Sequence, residues 1–141
     1  MRITHLIVAA ALGVSPSLAL AGETPSPEGA ETYFIGLEDG TTVSNPVTLR
    51  FGARNIGIAP AGVEWPDTGH HHLIINEAIE GAELSEPIPA DDQHRHFGGG
   101  QTEVTLDLPA GTHTIQLVMG DHDHIPHDPP VMSERITITV K

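Results

Sequence analysis

The run Val104-Thr105-Leu106-Asp107-Leu108-Pro109-Ala110-Gly111-Thr112-His113-Thr114-Ile115-Gln116-Leu117-Val118-Met119 reads as two alternating segments around a Pro-Ala-Gly turn. Val104, Leu106 and Leu108 alternate with Glu103, Thr105 and Asp107. Ile115, Leu117 and Met119 alternate with Thr114, Gln116 and Val118. A strand points successive side chains to opposite faces, so a period of two marks half-buried β structure. The turn residues predict a tight hairpin between the two segments.

The same period recurs outward in both directions. Tyr33, Ile35 and Leu37 alternate with Phe34 and Gly36, Val47, Leu49, Phe51 and Ala53 with Thr48, Arg50 and Gly52, and later Ile136, Ile138 and Val140 with Arg135, Thr137 and Thr139. Leu73-Ile74-Ile75 is apolar on both faces and predicts a more central strand. Asp39-Gly40 supplies a turn. Only Glu77 to Leu84 offers a short helix, and long connections run from 55 to 69 and from 77 to 100. Short strands at this density predict an all-β fold, a small antiparallel immunoglobulin-like β-sandwich of six or seven strands, ahead of a barrel or jelly roll.

The chain begins as an export signal does. Arg2 precedes an apolar stretch from Ile7 to Leu20, and Ala19-Leu20-Ala21 provides a small-x-small cleavage site before Gly22. Gly13, Ser15, Pro16 and Ser17 interrupt the stretch short of the ~20 apolar residues a membrane anchor needs. The expected organisation is a signal peptide over 1–21, a flexible leader over 22–30 and one β-sandwich domain over 31–141. The expected location is periplasmic or secreted, with no membrane insertion after signal cleavage.

The formal net charge is −13, which repels nucleic acid and anionic lipid and excludes both as partners. The chain has no cysteine. Any metal site must therefore draw on imidazole, carboxylate, thioether, backbone oxygen or water.

Ten histidines stand against six lysines and arginines. Eight of them fall in three short segments: His70-His71-His72, His94-Arg95-His96, and His122-Asp123-His124 with His127 beyond; His113 stands alone in a strand. Imidazole is the commonest protein ligand for zinc and copper. In an extended strand His-x-His puts both rings on one face, so His70 with His72, His94 with His96, and His122 with His124 can each chelate. His71 must then point to the opposite face. Gly98-Gly99-Gly100 permits close backbone approach beside the second segment. Aspartates interleaved with the third can orient its rings or ligate a metal themselves. Met119 and Met132 flank that loop, but Met119 shares a face with Ile115 and Leu117 and reads as core.

No His-Glu-x-x-His helix and no Gly-x-Ser-x-Gly elbow is present, so no catalytic residue is assigned and an enzyme is the weaker reading. The leading expectation is an exported binding protein for a divalent transition metal, copper or zinc, with candidate ligands His70, His72, His94, His96, His113, His122, His124 and His127. The alternative is a module that binds an envelope protein or a glycan through its long loops, in which Trp65 and the Pro60–Pro66 neighbourhood would matter more. A surface that changes charge with histidine protonation is a further consequence of the composition.

The segments Thr68-Gly69-His70-His71-His72-Leu73-Ile74-Ile75-Asn76, Ile88-Pro89-Ala90-Asp91 and His96-Phe97-Gly98-Gly99-Gly100-Gln101-Thr102-Glu103, followed by Leu106 to Leu117, resemble the bacterial domain-of-unknown-function family 4399. The resemblance spans about residues 31–140. It implies an exported bacterial domain on a small β scaffold and brings no activity with it. Against the family pattern His122, His124 and His127 read as an elaboration, which would place a shared site at His70–His72, His94, His96 and His113.

Overall fold

Strand β8 (Gly111–Gly120) is the longest element and lies inside the larger of two sheets, between β5 (Thr68–Ile75) and β9 (Ile136–Val140). The architecture is that of a computed structural model, which describes residues 22–141. The signal segment expected over 1–21 lies outside the described residues. The other strands are β1 (Glu31–Phe34), β2 (Thr42–Val43), β3 (Val47–Arg54), β4 (Gly57–Ile58), β6 (His94–His96) and β7 (Glu103–Leu106). One sheet runs β1-β3-β7. The other runs β2-β9-β8-β5-β4, and β6 joins the edge of β5 beyond β4. The protein is an all-β sandwich, with seven strands of three or more residues among the described residues. The short pairings β2 with β9 and β4 with β5 are parallel, a departure from the fully antiparallel expectation.

The expected hairpin over Pro109–Gly111 does not form. β7 pairs with β3, from Val47 opposite Leu106 to Arg50 opposite Glu103, whereas β8 pairs with β5 and β9. The turn instead carries the chain from one sheet to the other. Asn45 holds it there: Asn45 Nδ2 donates to Leu108 O at 2.6 Å and Leu108 N donates to Asn45 Oδ1 at 3.1 Å. Alternation tells which faces are buried and is silent on which strand is the partner.

The main core fills the space between the sheets, with Leu49, Phe51, Leu73, Ile115, Leu117 and Ile138 among its buried members. Burying each such side chain contributes about 1.5–3 kcal/mol against leaving it in water. Met119 is fully buried beside Ile56 and Val131, as its strand position required.

The large sheet is covered on its outer face as well. Ile74 and Val118 point outward and pack against Ile79 and Ile88, which pulls the 77–93 connection back over the sheet. The short helix anticipated before Leu84 is a single 3-10 stretch, Gly81–Ser85. Residues 24–26, expected within a flexible leader, are tied to the loop after β8: Asp128 N donates to Thr24 O and Ser26 N to Asp128 O, each at 2.9 Å. Among the described residues no helix is long and apolar enough to cross a membrane.

Candidate metal centre

Every residue of β5 from Gly69 to Ile75 is buried. Strand alternation sends His71, Leu73 and Ile75 to the core between the sheets and His70, His72 and Ile74 to the outer face. His71 accordingly packs against Phe51, ring centroids 5.3 Å apart. On the outer face the register with β6 sets His96 directly opposite His72. The register with β8 sets Gly120 opposite His70 and Val118 opposite His72. The chain turns back immediately after Gly120, and the fourth ring, His124, arrives over the other three.

All six ring pairs among His70, His72, His96 and His124 have centroids between 4.6 and 6.0 Å apart. His70 Nε2 lies 3.0 Å from His72 Nε2 and 3.2 Å from His96 Nε2. Candidate ligand nitrogens of His70, His96 and His124 all fall within 4.8 Å of one another. Four zinc–nitrogen bonds of about 2.0–2.1 Å in a tetrahedron separate neighbouring nitrogens by roughly 3.3 Å. The observed Nε2 spacings are close to that edge. His70 and His72 are fully buried, His124 is half-buried and His96 is exposed, so the cluster runs from the sheet surface out to solvent.

Glycines make room for the rings. A Cβ on Gly120 would sit 2.7 Å from His72 Nε2, and one on Gly98 would overlap the His96 ring. Gly69 does the same for His127, whose Cε1 would lie 2.8 Å from an added Cβ.

The turn that delivers His124 is organised by Asp121, itself buried. Asp121 Oδ1 accepts from Asp123 N at 2.9 Å and Ile125 N at 3.0 Å, and Oδ2 accepts from Thr24 Oγ1 at 2.6 Å. His124 N donates to Asp121 O and Asp121 N to Ile125 O, at 3.0 and 2.8 Å. His124 has φ of +69°, a left-handed conformation that costs a non-glycine residue roughly 1–2 kcal/mol. These bonds hold it there.

Burial sets the charge state of the cluster. Desolvation, followed by the neighbouring imidazoles His96 and His124, lowers the His70 pKa from 6.5 to about 4. Desolvation, followed by His70, His96 and His124, lowers that of His72 to about 2. His96 is lowered as well, first by burial and then by His124. Near neutral pH these rings are uncharged and keep a lone pair on one nitrogen, the form in which imidazole binds metal. His70, His96 and His124 could together hold a metal ion, with the His72 ring packed beside them.

The remaining candidates stand elsewhere. His113 donates Nε2–H to Pro109 O at 2.7 Å, and its Nδ1 faces Asn76 Nδ2 at 3.0 Å. Five residues along β8 from Val118, the strand partner of His72, it lies roughly 17 Å from the cluster. His127 is fully buried and bonds to Thr68 O at 3.1 Å through Nε2. His122 faces Asp123 at 3.3 Å, beside the loop that bears Trp65. His94 turns to Asp91, 2.9 Å away. The shared site anticipated from the family pattern thus loses His71, His94 and His113 and gains His124.

The strand character of His94–His96 was not read from sequence, because three residues are too few to show a period. Nothing in the sequence pointed to Gly120 as a packing position or to Thr24 as a partner of Asp121.

Residues 49–141 match the model of a family described as a domain of unknown function, DUF4399. No curated protein and no solved structure matches the chain.

Proposed function

The chain belongs to the DUF4399 family, and from that premise we propose that it is an exported, periplasmic binding protein for a divalent transition metal, copper or zinc, held by His70, His72, His96 and His124. The observation that carries this reading is the meeting of three Nε2 atoms, from two neighbouring strands, at 3.0 and 3.2 Å around His70. Imidazoles crowded on a buried face are costly unless something satisfies their lone pairs. One cation at the centre would satisfy all of them.

The donor set narrows the metal. Calcium and magnesium take oxygen ligands. Four neutral nitrogens without thiolate suit zinc or copper, and intrinsic affinity favours Cu(II). Four protein ligands close a tetrahedral shell, which suits storage, buffering or delivery better than catalysis, where one position stays open. The exposed His96 provides the way in, and the acidic surface raises the local cation concentration.

Calorimetric titration of metal-free protein, residues 22–141, with Cu(II) and Zn(II) near neutral pH tests the proposal. The expected result is one tight equivalent that disappears in the double variant His70→Ala/His96→Ala. Weak binding that is unchanged in that variant would remove it.

A second reading rests on Trp65, 70% exposed on the loop between β4 and β5, with Val63 exposed nearby. A large aromatic in solvent suits docking to an envelope protein. Recovery of the same partner with and without chelator, lost in Trp65→Ala, would favour this reading.

A further inference from the structure

Three rings of the cluster ride on the large sheet, His70 and His72 on β5 and His96 on β6, where strand pairing fixes them. His124 is the one that comes from a loop, in the connection between β8 and β9. Whether the cluster is complete therefore depends on what holds that loop. Bonds within it join Asp121 to Asp123, His124 and Ile125. Ties from elsewhere in the chain include Gly62 N to His122 O and Ile88 N to His124 O, each at 2.9 Å. One further segment, Gly22–Ser26, lies across the loop from end to end.

Thr24 makes that crossing with both its side chain and its backbone. Its Oγ1 donates to Asp121 Oδ2 at 2.6 Å, where the loop begins. Its carbonyl accepts from Asp128 N at 2.9 Å, four residues beyond His124. Ser26 N donates to Asp128 O at 2.9 Å, and Pro25 pairs with Asp128 in an isolated parallel bridge. Gly22 is buried, and a Cβ there would collide with Pro126 O. Burial pushes the Asp121 carboxyl up. The Thr24 hydroxyl, ahead of the Ile125 and Asp123 amides, more than reverses this and holds it below the usual carboxylate range. A hydrogen bond to an ionised acceptor is roughly twice as strong as a neutral one. A stretch expected to be a flexible leader is thus fastened to the loop at both of its ends.

We propose that Gly22–Ser26 is a latch on the metal centre, with Thr24 as its positioning residue. The Thr24 hydroxyl holds the 121–128 loop shut and so sets how long His124 stays on the ion. This rests on the reading of His124 as a ligand. With the hydroxyl gone, Asp121 keeps its two amides but loses its tie across the loop. The His124 ring can then lift away while the three strand-borne rings stay in place. Release by loss of one ligand leaves the sandwich folded and ready to bind again. The latch also faces solvent: Glu23 and Pro25 are exposed, and Thr24 and Pro25 line one cavity of about 370 Å³ with Trp65.

Thr24→Val removes the hydroxyl and keeps the side-chain shape, whereas Thr24→Ser keeps the hydroxyl. The experiment measures release of Cu(II) from each protein into excess chelator, with amide hydrogen exchange followed in the metal-free state. Thr24→Val should release the ion about 10-fold faster, the scale expected when a group that orients a ligand is lost. The Asp123 and Ile125 amides should exchange faster in it, while that of Leu117 keeps its protection. Thr24→Ser should behave as the wild type. In a His124→Ala background Thr24→Val should change release no further, which a general loss of stability would not reproduce. Release unchanged in Thr24→Val, or accelerated equally with and without His124, overturns the latch and leaves the cluster's role intact. A wild-type protein that takes up no Cu(II) removes the reading of the site, and the latch with it.

Discussion

Gly120 on β8 stands opposite His70 on β5, yet it lies so close to the neighbouring His72 ring that a single methyl group on the glycine would come within 2.7 Å of the imidazole Nε2. The ring has nowhere to retreat, since His72 is fully buried. Gly120→Ala should therefore weaken metal binding by about 10–100-fold without removing a ligand. The packing strain should cost about 1–3 kcal/mol of stability. Titration and denaturant unfolding of the same variant would check both. Unchanged affinity would show that His72 does not ligate.

Asp121 holds the turn that delivers His124 to the cluster. Asp121→Ala deletes the acceptor for two backbone amides and for Thr24, a loss of about 1–3 kcal/mol at a buried site. The left-handed turn at His124 should then relax and the fourth ring should leave the cluster. Affinity in Asp121→Ala should match that of His124→Ala, and the double variant should be no weaker than either single one. Additive losses would contradict this coupling.

Most strands and their faces were legible because alternation is a direct record of burial; β1 is the exception, since Tyr33 and Ile35 are exposed and Phe34 packs against the core. Phe51, Leu73, Leu117 and Ile138 all point where their parity placed them. Partner choice was not legible, as the turn at Pro109–Gly111 shows, because the hydrogen bonds that separate β7 from β8 come from Asn45, far away in sequence. The candidate site was half legible. The parity of β5 put His70 and His72 together and His71 apart. Whether His94, His96 or both would join them depended on the β5–β6 register and on the capture of His94 by Asp91. His124 depended on a turn that alternation cannot describe.

His71 gives a pH dependence that is independent of the cluster. Thr32 Oγ1 lies 3.2 Å from both Gly52 O and His71 Nδ1, and His71 Nε2 is buried with no partner. Burial lowers its pKa from 6.5 to about 4. The unfolded chain therefore takes up the proton first as pH falls. Stability is complete above about pH 6.5 and drains away between there and pH 4, by about 1.4 kcal/mol per pH unit for this one group. His70 and His72 add losses of the same sign in metal-free protein. His71→Phe should flatten the stability profile by the share of one histidine. Urea unfolding at pH 7, 6 and 5 would show it, and parallel profiles would rule it out.

Metal should stabilise the fold. At a free concentration one hundred times the dissociation constant the gain is about 2.7 kcal/mol. For a domain of this size that raises the melting temperature by roughly 3–6 °C per kcal/mol. A chelator should reverse the rise, and His70→Ala/His96→Ala should show none. A thermal melt with and without Zn(II) suffices for the comparison.

The four imidazoles come from three stretches of chain that approach only when β6 docks on β5 and the turn after β8 closes. Before that moment no pair beyond His70 and His72 lies near enough to share an ion. The full four-ring arrangement is therefore a property of the completed fold alone: an extended chain offers at most two of these rings side by side, and closure of the turn after β8 is the step that finishes it.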